Sequence, residues 1–246
     1  MKVAILVDGG FYRKQAKRLF GEKTPEERAT ELIDYCKSHL YGPDSAHNDK
    51  IILYRIFYYD CPPLSKNIYN PLTGRTVNLA KSTLYKWSTD FLNELKRKRK
   101  TAIRLGEILE TNAGYRFKTQ TIKDLCSNKK TIAELTDNDL ELDITQKGVD
   151  TRICLDIASL ANKKLVDQII LIAGDSDFVP AAKHARREGI DFILDPMKHD
   201  VKDSLLEHVD GVRSKVKQYL SSQSKQKTPE TTPTNEPEAQ VSTTQS

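Results

Sequence analysis

Residues 3–7, Val-Ala-Ile-Leu-Val, form an uninterrupted apolar run that stops at Asp8. That is the pattern of a strand buried on both faces. After Gly9-Gly10 the pattern turns helical over residues 11–20. Thr24-Pro25-Glu26-Glu27 then places Thr at an N-cap, Pro at the first helical position and Glu three residues beyond the cap. This is a capping box, and it opens a predicted helix that runs to about residue 40. Residues 51–59, rich in β-branched and aromatic side chains, predict a second strand. Ile153, Ile157, Leu160, Ala161 and Leu165 recur at helical spacing and predict a helix over 151–165. Leu171-Ile172-Ala173 close a further apolar strand, which passes through Gly174 into Asp175-Ser176-Asp177. A helix over 178–188 follows, with Pro180 near its start and Gly189 as its stop.

Alternating strands and helices predict an α/β fold around a parallel sheet. The rhythm breaks between residues 60 and 146. Cys61-Pro62-Pro63 and Asn70-Pro71-Leu72-Thr73-Gly74 are turn signals, and residues 82–100 form an amphipathic helix with Leu84, Trp87, Phe91 and Leu95 on one face. Residues 102–109 and 115–118, joined through Thr111-Asn112-Ala113-Gly114, are expected to form a hairpin. The predicted architecture is therefore a discontinuous core, residues 1–59 and 147–220, with a helix–hairpin subdomain inserted at 60–146. Trp87 and Phe91 are expected to pack that subdomain's own small core. Residues 200–220 are helix-forming. Residues 221–246 are Ser, Thr, Gln, Pro and Glu with almost no apolar side chain, and are expected to be a disordered tail.

The chemistry sits where two strands end in carboxylates. Ligands of open α/β sheets bind outside the carboxyl ends of the strands, so Asp8, Asp175 and Asp177 converge if their strands are neighbours. Asp150, at the start of the 151–165 helix, joins them. Each acid has a simpler reading, since Asp150 and Asp177 stand where N-caps stand. Asp8 directly follows a buried strand, where an acid is costly unless a cation satisfies it. Carboxylates grouped without Cys or His favour Mg²⁺ or Mn²⁺ over zinc. A cation so held activates water and neutralises phosphate charge, which is what phosphodiester hydrolysis needs. None of the five histidines lies in a nucleophile motif, and neither a Walker pattern nor GxGxxG is present.

The segments VDGGFYRK, KGVDTRICLDIASLA and LIAGDSDFVPAAKHARREGIDFILDP, in that order and spacing, resemble the NYN-domain proteins. The resemblance is to the LabA-like or DUF88 group of the PIN-like nuclease superfamily, over residues 1 to about 211. It implies a three-layer Rossmann-like domain, a carboxylate-held Mg²⁺ or Mn²⁺, and cleavage of RNA phosphodiesters. Position by position, Asp8 matches the strand-1 acid, Asp150 the acid of KGVD, and Asp175 and Asp177 the GDSD pair. Asp156 matches another acid of the pattern but points about 120° away from Asp150 on an ideal helix. Asp156, Ser176 and Lys147 are candidates for supporting positions. Many relatives have Asn three residues after the strand-1 acid. Here that position is Phe11, which removes an amide that orients substrate or water.

The chain has 246 residues, 38% of them hydrophobic, and a formal net charge of +5. It can bury one sizeable core, and its charge suits a polyanionic partner. Lys96-Arg97-Lys98-Arg99-Lys100 is the densest basic run. It is either a solvated helix end or a phosphate grip. Together with Arg13, Arg186 and Arg187, it makes up the expected RNA-binding set. Cys36, Cys61, Cys126 and Cys154 are too dispersed for a zinc pair or a disulfide framework. No apolar run suits a leader or a membrane span, so a cytoplasmic protein is expected. The oligomeric state is left open, a homodimer included. The reading is a metal-dependent endoribonuclease. Its rivals are a non-catalytic RNA-binding or regulatory module, which Phe11 favours, and a metal-dependent phosphatase, which an extended basic surface disfavours.

Overall fold

A computed structural model describes residues 1–41, 51–109 and 113–226. Strand β1 (Lys2–Asp8) leads into α1 (Gly9–Phe20) and α2 (Pro25–Ser38), then β2 (Ile52–Asp60). A ribbon of β3 (Asn67–Asn70) and β4 (Arg75–Asn78) precedes α3 (Thr83–Arg97) and β5 (Thr101–Leu105). Short strands β6 (Glu107–Ile108) and β7 (Gly114–Phe117), α4 (Thr119–Cys126), β8 (Leu140–Asp143) and β9 (Gln146–Lys147) follow. The chain then re-enters a regular alternation: α5 (Val149–Asn162), β10 (Gln168–Ile172), α6 (Val179–Arg187), β11 (Asp191–Asp195), α7 (Asp203–Leu206), β12 (Gly211–Val212) and α8 (Val216–Gln226).

Six strands form one parallel sheet in the order β12-β11-β10-β1-β2-β5. This is the doubly wound arrangement of a Rossmann-like fold. Strand alternation divides the core in two. Val3, Ile5 and Val7 of β1 pack on one face with Tyr12, Leu32, Tyr35, Phe91 and Leu95, and Ala4 and Leu6 pack on the other with Ile153, Ile157, Ala181 and Ala185. Helices α1, α2 and α3 therefore cover one face and α5 and α6 the other. All five apolar residues of β1 are buried, as an uninterrupted apolar run at the centre of a sheet requires. The Thr24 capping box forms, with Thr24 N–H donating to Glu27 Oε2 at 2.9 Å and Glu27 N–H to Thr24 Oγ1 at 3.3 Å.

The structure corrects the expected helix–hairpin. Residues 101–105 pair with β2 in parallel, Ile56 opposite Thr101 through Asp60 opposite Leu105, while Gly114–Phe117 pairs instead with Leu140–Asp143. The cause is burial. Ile103 and Leu105 pack on one core cluster and Ala102 on the other, which a two-stranded ribbon in water could not provide. Helix α3 is accordingly a crossover helix of the sheet. Trp87 stacks on Phe91 at 5.1 Å and its Nε1 donates to the Lys23 carbonyl at 3.0 Å, so both rings belong to the main core. The residues that do stand outside the sheet are the β3–β4 ribbon and the segments between β6 and β9.

Two further expectations change. The 200–220 segment is not one helix, because Gly211–Val212 adds a sixth strand between α7 and α8. Helix α8 continues to Gln226, past the point where the tail was expected to begin. The Ser221 and Ser222 hydroxyls are satisfied on the carbonyls of Lys217 and Tyr219, and Tyr219 anchors the helix against Phe20 and Tyr35. The remainder of that tail, residues 227–246, lies outside the described residues. No described helix is long and apolar enough to cross a membrane.

Candidate active site

The strand order reverses between β1 and β10, which are hydrogen-bonded neighbours with Val7 opposite Ile172. Helix α1 leaves β1 on one side of the sheet and α6 leaves β10 on the other, and the diverging connections open a crevice at the carboxyl ends. Asp8 ends β1 on one side of this switch point. Ala173-Gly174-Asp175 leave β10 on the other.

Asp8 is the N-cap of α1, accepting the Phe11 N–H at 3.1 Å. The turn is tight because Gly9 lies against β2: a side chain there would come within 2.5 Å of the Tyr58 hydroxyl and of the Tyr59 carbonyl. Burial pushes the Asp8 carboxyl up to about 6 against the lowering effect of the Phe11 N–H, and the negative charges of Asp150 and Asp60 push it the same way. Asp150 stands in the first turn of α5, behind Gly148, whose φ of 78° is left-handed. Its carboxyl is also raised, first by burial and then by the charges of Asp175 and Asp177. Asp175 caps a 3-10 turn over Ser176–Phe178 by accepting the Asp177 N–H at 3.1 Å. Thus Asp175, not Asp177, is the cap, and both are exposed to solvent. Asp150 thus links the group, raising Asp8 and being raised by Asp175 and Asp177. Among the described residues, however, no three His, Cys, Asp or Glu side chains stand close enough to grip an ion as placed.

Asp60 is a further strand-end acid that the strand pattern also displays. Like Asp8, it ends an apolar strand. It is 3% exposed and takes three donors: Arg13 Nη2 at 3.0 Å, the Tyr58 hydroxyl at 2.8 Å and the Cys61 N–H at 2.8 Å. Asp195, at the end of β11, is equally saturated by the Tyr35 hydroxyl at 2.5 Å, His39 Nε2 at 2.8 Å and the Met197 N–H at 2.8 Å. Burial keeps His39 neutral by lowering its proton affinity, although Asp195 opposes this. Three strands of the parallel sheet thus end in acids, and of these three Asp8 alone accepts from backbone N–H groups without a side-chain donor among the described residues. Arg13 holds its proton more firmly than usual. Burial works against it, and Tyr58, Asp60 and Asp8 together outweigh that effect.

Several expected participants are engaged by other partners. Asp156 accepts from the Tyr59 hydroxyl at 2.8 Å and from Arg104 Nε at 3.2 Å, tying α5 to β2 and β5. Ser176 accepts from Lys202 Nζ at 3.3 Å, and Lys147 is exposed on β9, paired across to Glu107. The run Lys96, Arg97, Lys98, Arg99 and Lys100 ends α3 and enters β5, so it lies at the amino-terminal edge of a parallel sheet whose acids lie at the carboxyl edge. The five residues of β5 carry the chain about 15 Å from the run to the carboxyl edge. Four members of the run are occupied locally: Lys96 with Asn93 at 3.3 Å, Arg97 with Glu94 at 2.7 Å, Lys98 with Thr30 at 3.0 Å, and Lys100 with the Leu53 carbonyl. Arg186 and Arg187 end α6 at the same far edge, and Arg186 pairs with Asp210 at 2.7 Å. Of the expected RNA-binding residues, Arg13 alone stands beside the acids. Phe11 is also placed there, its ring against Gly174, where an added Cβ would meet Phe11 Cε2 at 2.6 Å.

A family model of the NYN domain matches residues 85–212. The match runs from α3 to β12, so it includes Asp150, Asp156, Asp175 and Asp177, and it begins beyond Asp8, Arg13 and Asp60. No curated protein matches the chain. Among solved structures, a protein of unknown function from Vibrio parahaemolyticus RIMD 2210633 aligns over 87% of this chain and 91% of its own, at 13% identity and a TM-score of 0.42.

Proposed function

The chain belongs to the NYN domain family, within the PIN-like nuclease superfamily, and from that premise we propose that it is a ribonuclease dependent on Mg²⁺ or Mn²⁺. Its motif order is that of the LabA-like, DUF88 group. The observation that carries the proposal is the unequal treatment of the strand-end acids. Asp60 and Asp195 are saturated by protein donors, whereas Asp8 is held near 6 by burial and by neighbouring negative charge. A half-buried carboxylate with raised proton affinity would be stabilised by a cation.

The donor set fits a hard ion, since Asp8, Asp150, Asp175 and Asp177 offer only carboxylate oxygens. The carboxylates must draw together to hold it, and Asp175 and Asp177 are exposed to solvent, Asp175 being tied, among the described residues, only to the Asp177 N–H. Bound there, a divalent cation would lower the pKa of a water and offset charge on the phosphate. The chain's own residues supply the remainder. Asp8 would orient an attacking water beside the cation and accept its proton. Arg13, clamped by Asp60, presents a fixed cation to a phosphate oxygen beside Asp8.

A second reading, an RNA-binding module without turnover, is favoured by Phe11, whose ring occupies the site floor where relatives carry an amide. Purified protein incubated with structured and unstructured RNAs in Mg²⁺, Mn²⁺ or chelator decides between them. The proposal expects metal-dependent cleavage that Asp175→Asn with Asp177→Asn abolishes while thermal stability persists. Binding without cleavage in either metal establishes the second reading instead.

A further inference from the structure

Next to the acid crevice, a cleft of about 760 Å³ lies between α1 and the segment formed by residues 61–64 and the start of α3. It opens from Gly10, which adjoins Asp8: a Cβ at Gly10 would stand 3.5 Å from Asp8 Oδ1. One wall is cationic. Gly10, Arg13, Lys14 and Lys17 recur at three- and four-residue spacing and so share one side of α1. Lys14 is exposed with no partner among the described residues, and Lys17 pairs only with the exposed Glu22, an interaction worth little in water. The facing wall is apolar and aromatic, with Pro62, Pro63, Leu64, Leu84 and Tyr85. Trp87 is committed to Phe91 and to the Lys23 carbonyl. Tyr85 has no ring partner among the described residues and is half-buried at the cleft.

We propose that this cleft receives unpaired ribonucleotides leading to the acid crevice, with phosphates on Lys14 and Lys17 and a base on Tyr85; the proposal rests on the ribonuclease reading for its choice of polyanion. Charge on one wall and a free ring on the other are the two elements of single-strand binding sites. The volume is that of a ligand pocket. A duplex, recognised by its shape across a broad face, does not enter such a space. The cleft also gives Arg13 its context, as the cation where the strand's path meets Asp8.

The test is fluorescence anisotropy of the full chain with a labelled single-stranded RNA and the matching duplex, in chelator, over a range of salt. The single strand is expected to bind at least about tenfold more tightly than the duplex. Lys14→Gln with Lys17→Gln should lower single-strand affinity about tenfold and flatten the slope of log affinity against log salt by roughly 1 to 1.5. Tyr85→Ala should weaken binding about fivefold or more, with Tyr85→Phe retaining it, because a phenyl ring stacks as well. Equal binding of strand and duplex, absence of RNA binding, or unchanged affinity and slope in the lysine variant overturns the proposal. Binding with these losses but no cleavage in metal leaves the cleft standing and removes the nuclease assignment. Metal-dependent cleavage with unchanged binding in the variants removes the cleft and leaves the nuclease.

Discussion

Replacing Asp8 by Asn is expected to stabilise the metal-free protein while abolishing its activity. Asn caps a helix as well as Asp, so the Phe11 N–H at 3.1 Å keeps an acceptor. What is lost is a charge that folding disfavours. The Asp8 carboxyl rises from 3.8 to about 6, chiefly through burial and then through Asp150 and Asp60. At roughly 1.4 kcal/mol per pKa unit, the ionised form costs the fold about 3 kcal/mol, and partial solvent access reduces this to about 2–3 kcal/mol. The sign follows from linkage. Below pH 4 the acid is protonated in both states and the penalty is absent. Between pH 4 and 6 the folded state binds the extra proton, so stability falls as pH rises, and above pH 6 the penalty is complete. Urea unfolding in chelator at pH 7.5 should therefore place the Asp8→Asn midpoint about 1 M above wild type, given a slope of roughly 2–3 kcal/mol/M for a domain of this size. At pH 4 the two midpoints should nearly coincide. A variant that is equally or less stable at pH 7.5, or a difference independent of pH, refutes the reasoning that Asp8 is a strained carboxylate awaiting a cation.

Asp60→Asn should destabilise the protein by about 2–3 kcal/mol in urea titration, because it leaves the Arg13 guanidinium without its 3.0 Å partner; the figure lies below that of a fully buried pair since the Arg13 side chain is 28% exposed. A loss under about 1 kcal/mol would show that solvent replaces the pair freely. Gly174→Ala should cost about 1–3 kcal/mol by driving a methyl against the Phe11 ring, and Phe11→Leu in the same chain should recover part of it; an unaltered melting temperature for Gly174→Ala would mean that the contact relaxes without strain. Changing Lys96, Arg97, Lys98, Arg99 and Lys100 together to Gln should alter single-strand RNA affinity by less than about threefold, because the run enters β5 at the end opposite the acids and most of its members have local partners. A tenfold loss in anisotropy would place the RNA path at the far edge.

What could be read from the sequence was what local chemistry dictates. The buried run ending at Asp8, the capping box at Thr24, the helical spacing of Ile153, Ile157 and Leu160, and the turn at Asp175 each express a preference of a few adjacent residues. The structure forms every one of them. Partnerships across the chain were not legible. The Ala102, Ile103 and Leu105 pattern suits a hairpin edge as well as a sixth-strand sheet, and only its pairing with Ile56–Asp60 decides. The same ambiguity hid the basic run's position, since five cations at a helix end have no direction until the crossover fixes which edge of the sheet they meet. Asp60 carried the same strand-end signal as Asp8, and Asp195 did too. The pattern places acids at the carboxyl edge without saying which are neutralised, and the donors that decide it come from Arg13, Tyr35 and His39, far away in sequence.

The central claim is that the acid crevice is a cation site whose key member, when empty, has its carboxyl raised to about 6. Calorimetric titration of Mn²⁺ into the protein, in paired buffers of different ionisation enthalpy at pH 6 and pH 8, tests it directly, because metal binding displaces whatever proton its ligand carries. With the Asp8 carboxyl at about 6, binding should release about half a proton at pH 6 and almost none at pH 8, and Asp8→Asn should bind more weakly with a smaller release at pH 6. Absence of Mn²⁺ binding, or a proton release that persists unchanged in Asp8→Asn, contradicts the account.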